Sequence, residues 1–222
     1  STLCPAPEFG GGAWGPGDVI LYSQHETTIM QVPAGGGAPS AVTTRSGDDW
    51  VHMWPGVLPD GRRFLFTAKQ WTGVTESSQQ GIYLGWRDRP SGGKRLLPDL
   101  SSAVYAEPGY LIFSRGGRLM AAPFDSTREE VSGDPVDLDE PVARGLSFFN
   151  TAVSLSRAGI LALRPPPAPS VDLSNLGAFE GEFRLMARDG SVAARVPGSH
   201  PFTFYMDAAP DGRRAAVSLQ DD

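Results

Sequence analysis

Three histidines, His25, His52 and His200, are the residues of this chain best suited to hold a metal or move a proton near neutral pH. Imidazole metal sites usually place two ligands within a few residues of each other. These three stand far apart, and none has a local partner. Ser91-Gly92-Gly93-Lys94 has the Ser-x-x-Lys spacing of acyl-transfer enzymes. That chemistry needs a helix start, where the lysine returns to the serine one turn later, and a Gly-Gly hairpin cannot supply it. Gly10-Gly11-Gly12-Ala13-Trp14-Gly15 matches a dinucleotide fingerprint formally, but Pro16-Gly17 and a strand follow where a helix N-terminus is required. Gly-x-Ser-x-Gly does not occur. Asp134, Asp137, Asp139 and Glu140 lack the loop spacing of a calcium site and read as a solvated rim. The single cysteine, Cys4, excludes an internal disulfide and reads as a small buried apolar residue. No catalytic residue, metal ligand or cofactor is assigned from these patterns.

The elements that would position such residues repeat. A Pro-Gly or Asp-Gly turn feeding a short apolar strand appears as Pro16-Gly17-Asp18-Val19-Ile20-Leu21-Tyr22, Pro59-Asp60-Gly61-Arg62-Arg63-Phe64-Leu65-Phe66 and Pro108-Gly109-Tyr110-Leu111-Ile112-Phe113. Weaker copies are Ala158-Gly159-Ile160-Leu161 and Pro210-Asp211-Gly212-Arg213-Arg214-Ala215. The turn glycines at 17, 61, 109, 159 and 212 are spaced 44, 48, 50 and 53 residues apart. A period of about 40–50 residues with four strands per unit marks a β-propeller blade. The expected fold is all-β: one propeller region over 1–222, with blades at 10–48, 49–100, 101–142 and 143–198 and a partial blade at 199–222. Residues 1–9 read as the end of a preceding blade. Runs such as Tyr110 to Phe113 have no polar interruption and are expected to be inner strands, covered on both faces by neighbouring blades. The proline-rich stretch 164–170 and the polar stretch 69–80 are expected to be surface loops.

Composition agrees with many turns and few helices, since Gly 27 and Pro 20 together make about a fifth of the 222 residues. A net charge of −6 argues against binding a nucleic-acid backbone, which needs a basic surface. No apolar stretch approaches the ~18 residues of a membrane span, so no direct membrane insertion is expected of this chain. On a propeller, His52 and His200 each fall before a strand and are expected at the channel mouth. Trp71 lies in the polar stretch with no obvious core to fill, which favours a contact role. Arg62, in the second turn, completes the expected ligand- or partner-binding set of His52, His200, Trp71 and Arg62.

The phrases Gly12-Ala13-Trp14-Gly15-Pro16-Gly17-Asp18-Val19-Ile20-Leu21-Tyr22 and Trp54-Pro55-Gly56-Val57-Leu58-Pro59-Asp60-Gly61-Arg62-Arg63-Phe64, with Arg118-Leu119-Met120-Ala121-Ala122-Pro123-Phe124-Asp125 followed by Ser132-Gly133-Asp134-Pro135-Val136, are similar to TolB-like propellers. The likeness is strongest to the propeller that lies C-terminal to bacterial serine/threonine protein kinases. It implies six or more blades, a sensing or protein-interaction role, and a place outside the cytoplasm. The kinase motifs themselves do not occur in this chain. The resulting expectation is a non-catalytic scaffold or sensor, not an enzyme, binding a protein or peptide and no nucleic acid. Open sheet edges would allow self-association. The alternative is a propeller lyase or hydrolase using a channel metal near His52 and His200.

Overall fold

The computed structural model describes residues 3–6, 9–24, 28–47, 50–70, 78–142 and 153–155, together with a series of short strands after 160. Every element among them is a strand. The first sheet is β1 (Phe9–Gly15), β2 (Val19–Gln24), β3 (Ile29–Pro33) and β4 (Ser40–Ala41), antiparallel and in sequence order. The second repeats it with β5 (Trp50–Val57), β6 (Arg63–Gln70), β7 (Gly81–Trp86) and β8 (Lys94–Leu97). The third has β9 (Ala103–Ala106), β10 (Tyr110–Arg115) and β11 (Arg118–Asp125). Its outer edge is shared by β12 (Glu130–Val131) and β13 (Val136–Pro141).

Beyond these, β14 (Val153–Leu155) pairs with β15 (Leu161–Leu163). Next come β16 (Glu180–Gly181), β17 (Arg184–Met186), β18 (Val192–Arg195) and β19 (His200–Pro201), with β16 paired to β19 and β17 to β18. The last pair is β20 (Met206–Ala208) with β21 (Ala215–Val217). Successive four-stranded antiparallel sheets of this kind make a β-propeller.

Alternation along the second strand of each sheet shows how the sheets stack. On β6, Phe64, Phe66 and Ala68 turn toward the first sheet, where they meet Leu21, Ile29 and Val42. Leu65 turns the other way and joins Ile82, Leu84, Leu111, Phe113 and Phe124 at the boundary with the third sheet. β10 repeats the division: Leu111 and Phe113 face the second sheet, whereas Ile112 packs with Leu119, Val142 and Val153 toward β14. A period of two places successive side chains on opposite faces. With a sheet on either side, both sets are buried, so the sequence reads as one unbroken apolar run. Each fully buried Phe or Leu in these seams contributes about 1.5–3 kcal/mol of transfer free energy.

The apolar runs are therefore second strands, and the expectation that they are innermost is corrected. The inner position belongs to the strand before each turn. β5 lies against β1, β9 against β5, β14 against β9, and β20 against β1. The turn glycines join inner to second strands: Gly17, at φ +79°, links β1 to β2, and Gly61, at φ +69°, links β5 to β6. Gly159 and Gly212 fall in sequence between β14 and β15 and between β20 and β21, outside the described residues.

The inner strand β5 carries a bulge, where pairing shifts between Met53 and Gly56. Trp54 sits in it at φ +58°, a region that bulky residues seldom enter. Its ring lies on β1 at Gly11, where a Cβ would come within 2.5 Å of the indole. Only glycine fits beneath that ring, so Gly11 is a packing requirement of the inner wall.

Candidate functional site

Of the histidines, His52 alone has its side chain among the described residues. It is the third residue of β5, facing the seam between the first and second sheets and only 2% exposed. Its Nδ1 is 2.9 Å from Thr43 Oγ1. The same oxygen accepts the backbone N–H of Ile29 at 2.9 Å. Thr43 lies on the segment joining β4 to β5, so one hydroxyl ties the inner strand of one sheet to the third strand of its neighbour. The imidazole packs on Phe66 with ring centroids 4.8 Å apart. Burial first, and the charge of Arg45 second, push its pKa down from 6.5 to about 4. His52 is therefore neutral at physiological pH.

At the corresponding end of the seam between the second and third sheets, hydroxyls take the place of the imidazole. Thr67 Oγ1 donates to the carbonyl of Ser101 at 2.7 Å, and Ser101 Oγ accepts the N–H of Ser114 at 2.9 Å. In the first sheet Ser23 Oγ donates to the carbonyl of Gly10 at 2.6 Å. Ser23, Thr67 and Ser114 are each the fifth residue of a second strand, all buried at the end remote from the turn glycines. Sequence reasoning missed this set. Its signal was a hydroxyl residue five or six positions after the turn glycines Gly17, Gly61 and Gly109. Ser114 Oγ is the exception among them, buried with no hydrogen-bond partner among the described residues.

The turn end of the sheets is tied by arginines. Arg87 donates to Gln31 Oε1 at 3.0 Å and to the carbonyl of Gly61 at 2.6 Å, joining the first two sheets. Arg63 holds Asp60 at 2.5 Å and donates to the carbonyl of Ser126, reaching the third sheet. Trp86 Nε1 donates to Glu129 Oε1 at 3.1 Å beside it. Backbone N–H bonds from Arg62 and Arg63 hold the Asp60 carboxyl below its usual range, against the opposing effect of burial.

Arg62 belongs to this end, where its exposed guanidinium pairs with Asp88 at 2.5 Å. The structure thus places His52 and Arg62 at opposite ends of the β5–β6 hairpin and does not bring them together. His200 lies on β19, opposite Gly181 and ahead of the inner strand β20; its side chain is outside the described residues. Trp71, His25 and most of the two expected surface loops are outside them too. Ser91 and Lys94 flank a turn in which Gly93 N–H bonds Ser91 Oγ at 3.3 Å, with no helix present. Gly10 to Gly15 lie within the inner strand β1. Asp137 and Asp139, on the exposed β13, both engage Arg118. Cys4 is half-buried against the cluster of Trp14 and Tyr22. Burial, with a hydrogen bond to that thiol, pushes the Tyr22 hydroxyl well above its usual pKa.

Among the described residues no three of His, Cys, Asp or Glu come close enough to hold a metal ion. No helix there is long and apolar enough to cross a membrane.

No family model and no curated protein matches the chain. Among solved structures it is similar to regucalcin, a calcium-binding protein from Agrobacterium tumefaciens strain C58, at 15% identity and a TM-score of 0.50. The alignment covers 94% of this chain and 67% of that one. Regucalcin is a six-bladed β-propeller, and at this identity the likeness shows the fold alone. It supports the propeller but neither the TolB-like family nor attachment to a kinase. The expectation that the chain is not an enzyme is corrected, since the fold shared with regucalcin does not exclude catalysis. That expectation rested on missing kinase and hydrolase motifs and on a kinase-associated relative. On a propeller such motifs are uninformative, because site residues arrive from separate blades.

Proposed function

We propose that this chain is the body of a propeller enzyme of the hydrolase or lyase class, acting at the channel end where the inner strands begin. The observation that carries this reading is the run of inner strands. β1, β5, β9 and β14 follow one another and β20 lies against β1, so residues remote in sequence are brought onto one wall. Such a site assembles without any linear motif, as pockets at the mouth of a closed β-structure commonly do.

His200, on the strand immediately ahead of β20, is the first residue to test as a participant. The described residues do not fit a divalent cation: no three possible ligands meet, and the Nδ1 of His52 is directed to Thr43. A cation would have to be held from outside the described set, and no catalytic step is assigned to one. Attachment to a serine/threonine kinase, the finer implication of the TolB-like phrases, is a separate matter that the coding sequence on either side of these residues would decide.

The test is turnover by the purified, folded protein on panels of small esters, amides and β-elimination substrates, alongside metal analysis. The expected result is activity against one class, lost at least about 100-fold in His200→Ala and retained in Arg62→Ala. A folded protein inert on every class would overturn the proposal.

A further inference from the structure

We propose that the seam between the first and second sheets is an acid-sensitive latch, closed by neutral His52 against Thr43, and that lowering the pH opens the channel wall at this seam.

The hydrogen bonds favour a neutral imidazole. Thr43 Oγ1 has one proton to give and already accepts the N–H of Ile29. Giving that proton to His52 Nδ1 satisfies both partners and assigns the remaining ring proton to Nε2. A protonated ring donates from Nδ1 as well. Thr43 must then accept twice and turn its own proton into buried surroundings, leaving a donor unsatisfied. The charged surroundings oppose protonation too. Arg45, anchored by a 3.0 Å bond to the Trp50 carbonyl, is the charged group acting on His52 among the described residues. Phe66 and Ala68, which pack or pair with His52, are uncharged. Lys69 is the next residue along β6, and strand alternation turns it to the opposite face.

The neighbouring seam supplies a control within the same molecule. Thr67 and Ser101 pin the second sheet to the third with hydroxyls that do not titrate between pH 5 and 8, Ser114 contributing its backbone N–H. Acid therefore acts on one seam and spares the other. Since His52 stands on an inner strand, opening at its seam breaches the channel and not merely the outer surface.

Hydrogen exchange of the whole chain from pH 8 to pH 5, corrected for intrinsic exchange chemistry, tests this. With a pKa of about 4 in the closed seam and 6.5 in the open one, linkage predicts that the opening constant rises about 30-fold over that range. The rise is expected in peptides spanning 28–32, 42–45 and 50–54, with amides over 111–114 that exchange through openings smaller than global unfolding unchanged. His52→Gln keeps an acceptor for Thr43 without the titration, and its profile is expected to be flat. An NMR titration of His52 in the unmodified protein gives a second reading that needs no variant, with a midpoint near 4 expected. An equal rise at both seams, an unchanged rise in His52→Gln, or a midpoint near 6.5 would each overturn the proposal.

Discussion

Phe66→Ala should damage the seam between the first two sheets and leave the next seam alone. The Phe66 side chain is 1% exposed, with ring neighbours Phe64 at 5.7 Å, Tyr83 at 5.4 Å and His52 at 4.8 Å. Truncating a buried Phe costs about 3–5 kcal/mol through lost transfer energy and a residual cavity. That is a large part of the 5–15 kcal/mol typical of a folded domain. Leu21, fully buried on β2, belongs to the same cluster across the seam, and Leu21→Ala alone should cost about 2–5 kcal/mol. Their cavities adjoin, so the double variant should cost less than the two together, by about 0.5–2 kcal/mol. Phe113 is equally buried but lies in the cluster on the opposite side of the second sheet. Phe66→Ala with Phe113→Ala should add to within about 0.5 kcal/mol. Urea unfolding of the three single and two double variants, with slopes compared to confirm a shared transition, measures all of this. Equal coupling in both pairs would refute the stacked-sheet account, as would additivity between Phe66 and Leu21.

Gly81→Ala should destabilise by more than about 2 kcal/mol in the same assay, because its Cβ would lie 2.0 Å from the Leu97 carbonyl oxygen at a backbone φ of +148°. Thr43→Val should cost about 2–4 kcal/mol by orphaning both Ile29 N–H and His52, while Thr43→Ser keeps most of the stability. Thr67→Val should cost about 1 kcal/mol through its lost bond to Ser101. Ser114→Ala, by contrast, should be neutral or stabilising, since its hydroxyl is buried without a partner among the described residues; a loss as large as that of Thr67→Val would contradict this. His52 also makes whole-protein stability pH-dependent. Its folded pKa is lowered, so the contribution is complete above about pH 6.5 and falls as the unfolded chain takes the proton, levelling off near pH 4. His52→Gln should remove that slope from a series of melting temperatures.

Much of the fold was legible because a turn is a local event. Gly17 and Gly61 adopt positive φ, and their spacing displays the repeat without any knowledge of packing. Which strand lies innermost was not legible. Burial on both faces produces the same apolar run wherever it arises, and in this fold it arises on β2, β6 and β10. The inner strands look unlike strands in sequence. β1 is rich in glycine, with Gly11 admitting the Trp54 ring, and β9 is the four residues Ala103–Ala106.

The placement of His52 shows the same limit. Its neighbours in sequence suggested a channel mouth, whereas its fate was settled by Thr43 and Phe66, which reach it only after the sheets stack. The recurring hydroxyls at Ser23, Thr67 and Ser114 could have been found five or six residues beyond the turn glycines Gly17, Gly61 and Gly109. They passed as ordinary polar strand ends because their partners, such as the Ser101 carbonyl, lie on a different segment.

Pulsed electron-resonance distances between spin labels on the turns test the radial arrangement most directly. Labels at Asp18, Arg62 and Glu107, on the first three inner-to-second connections, and at Asp211, between β20 and β21, would be placed in pairs with Cys4 replaced by serine. Because β20 and β5 both lie against β1, the 18–211 and 18–62 distances should be similar and shorter than 18–107. An 18–211 distance exceeding 18–107 would mean that the inner strands run out in a row, and the ring with its channel site would be disproved.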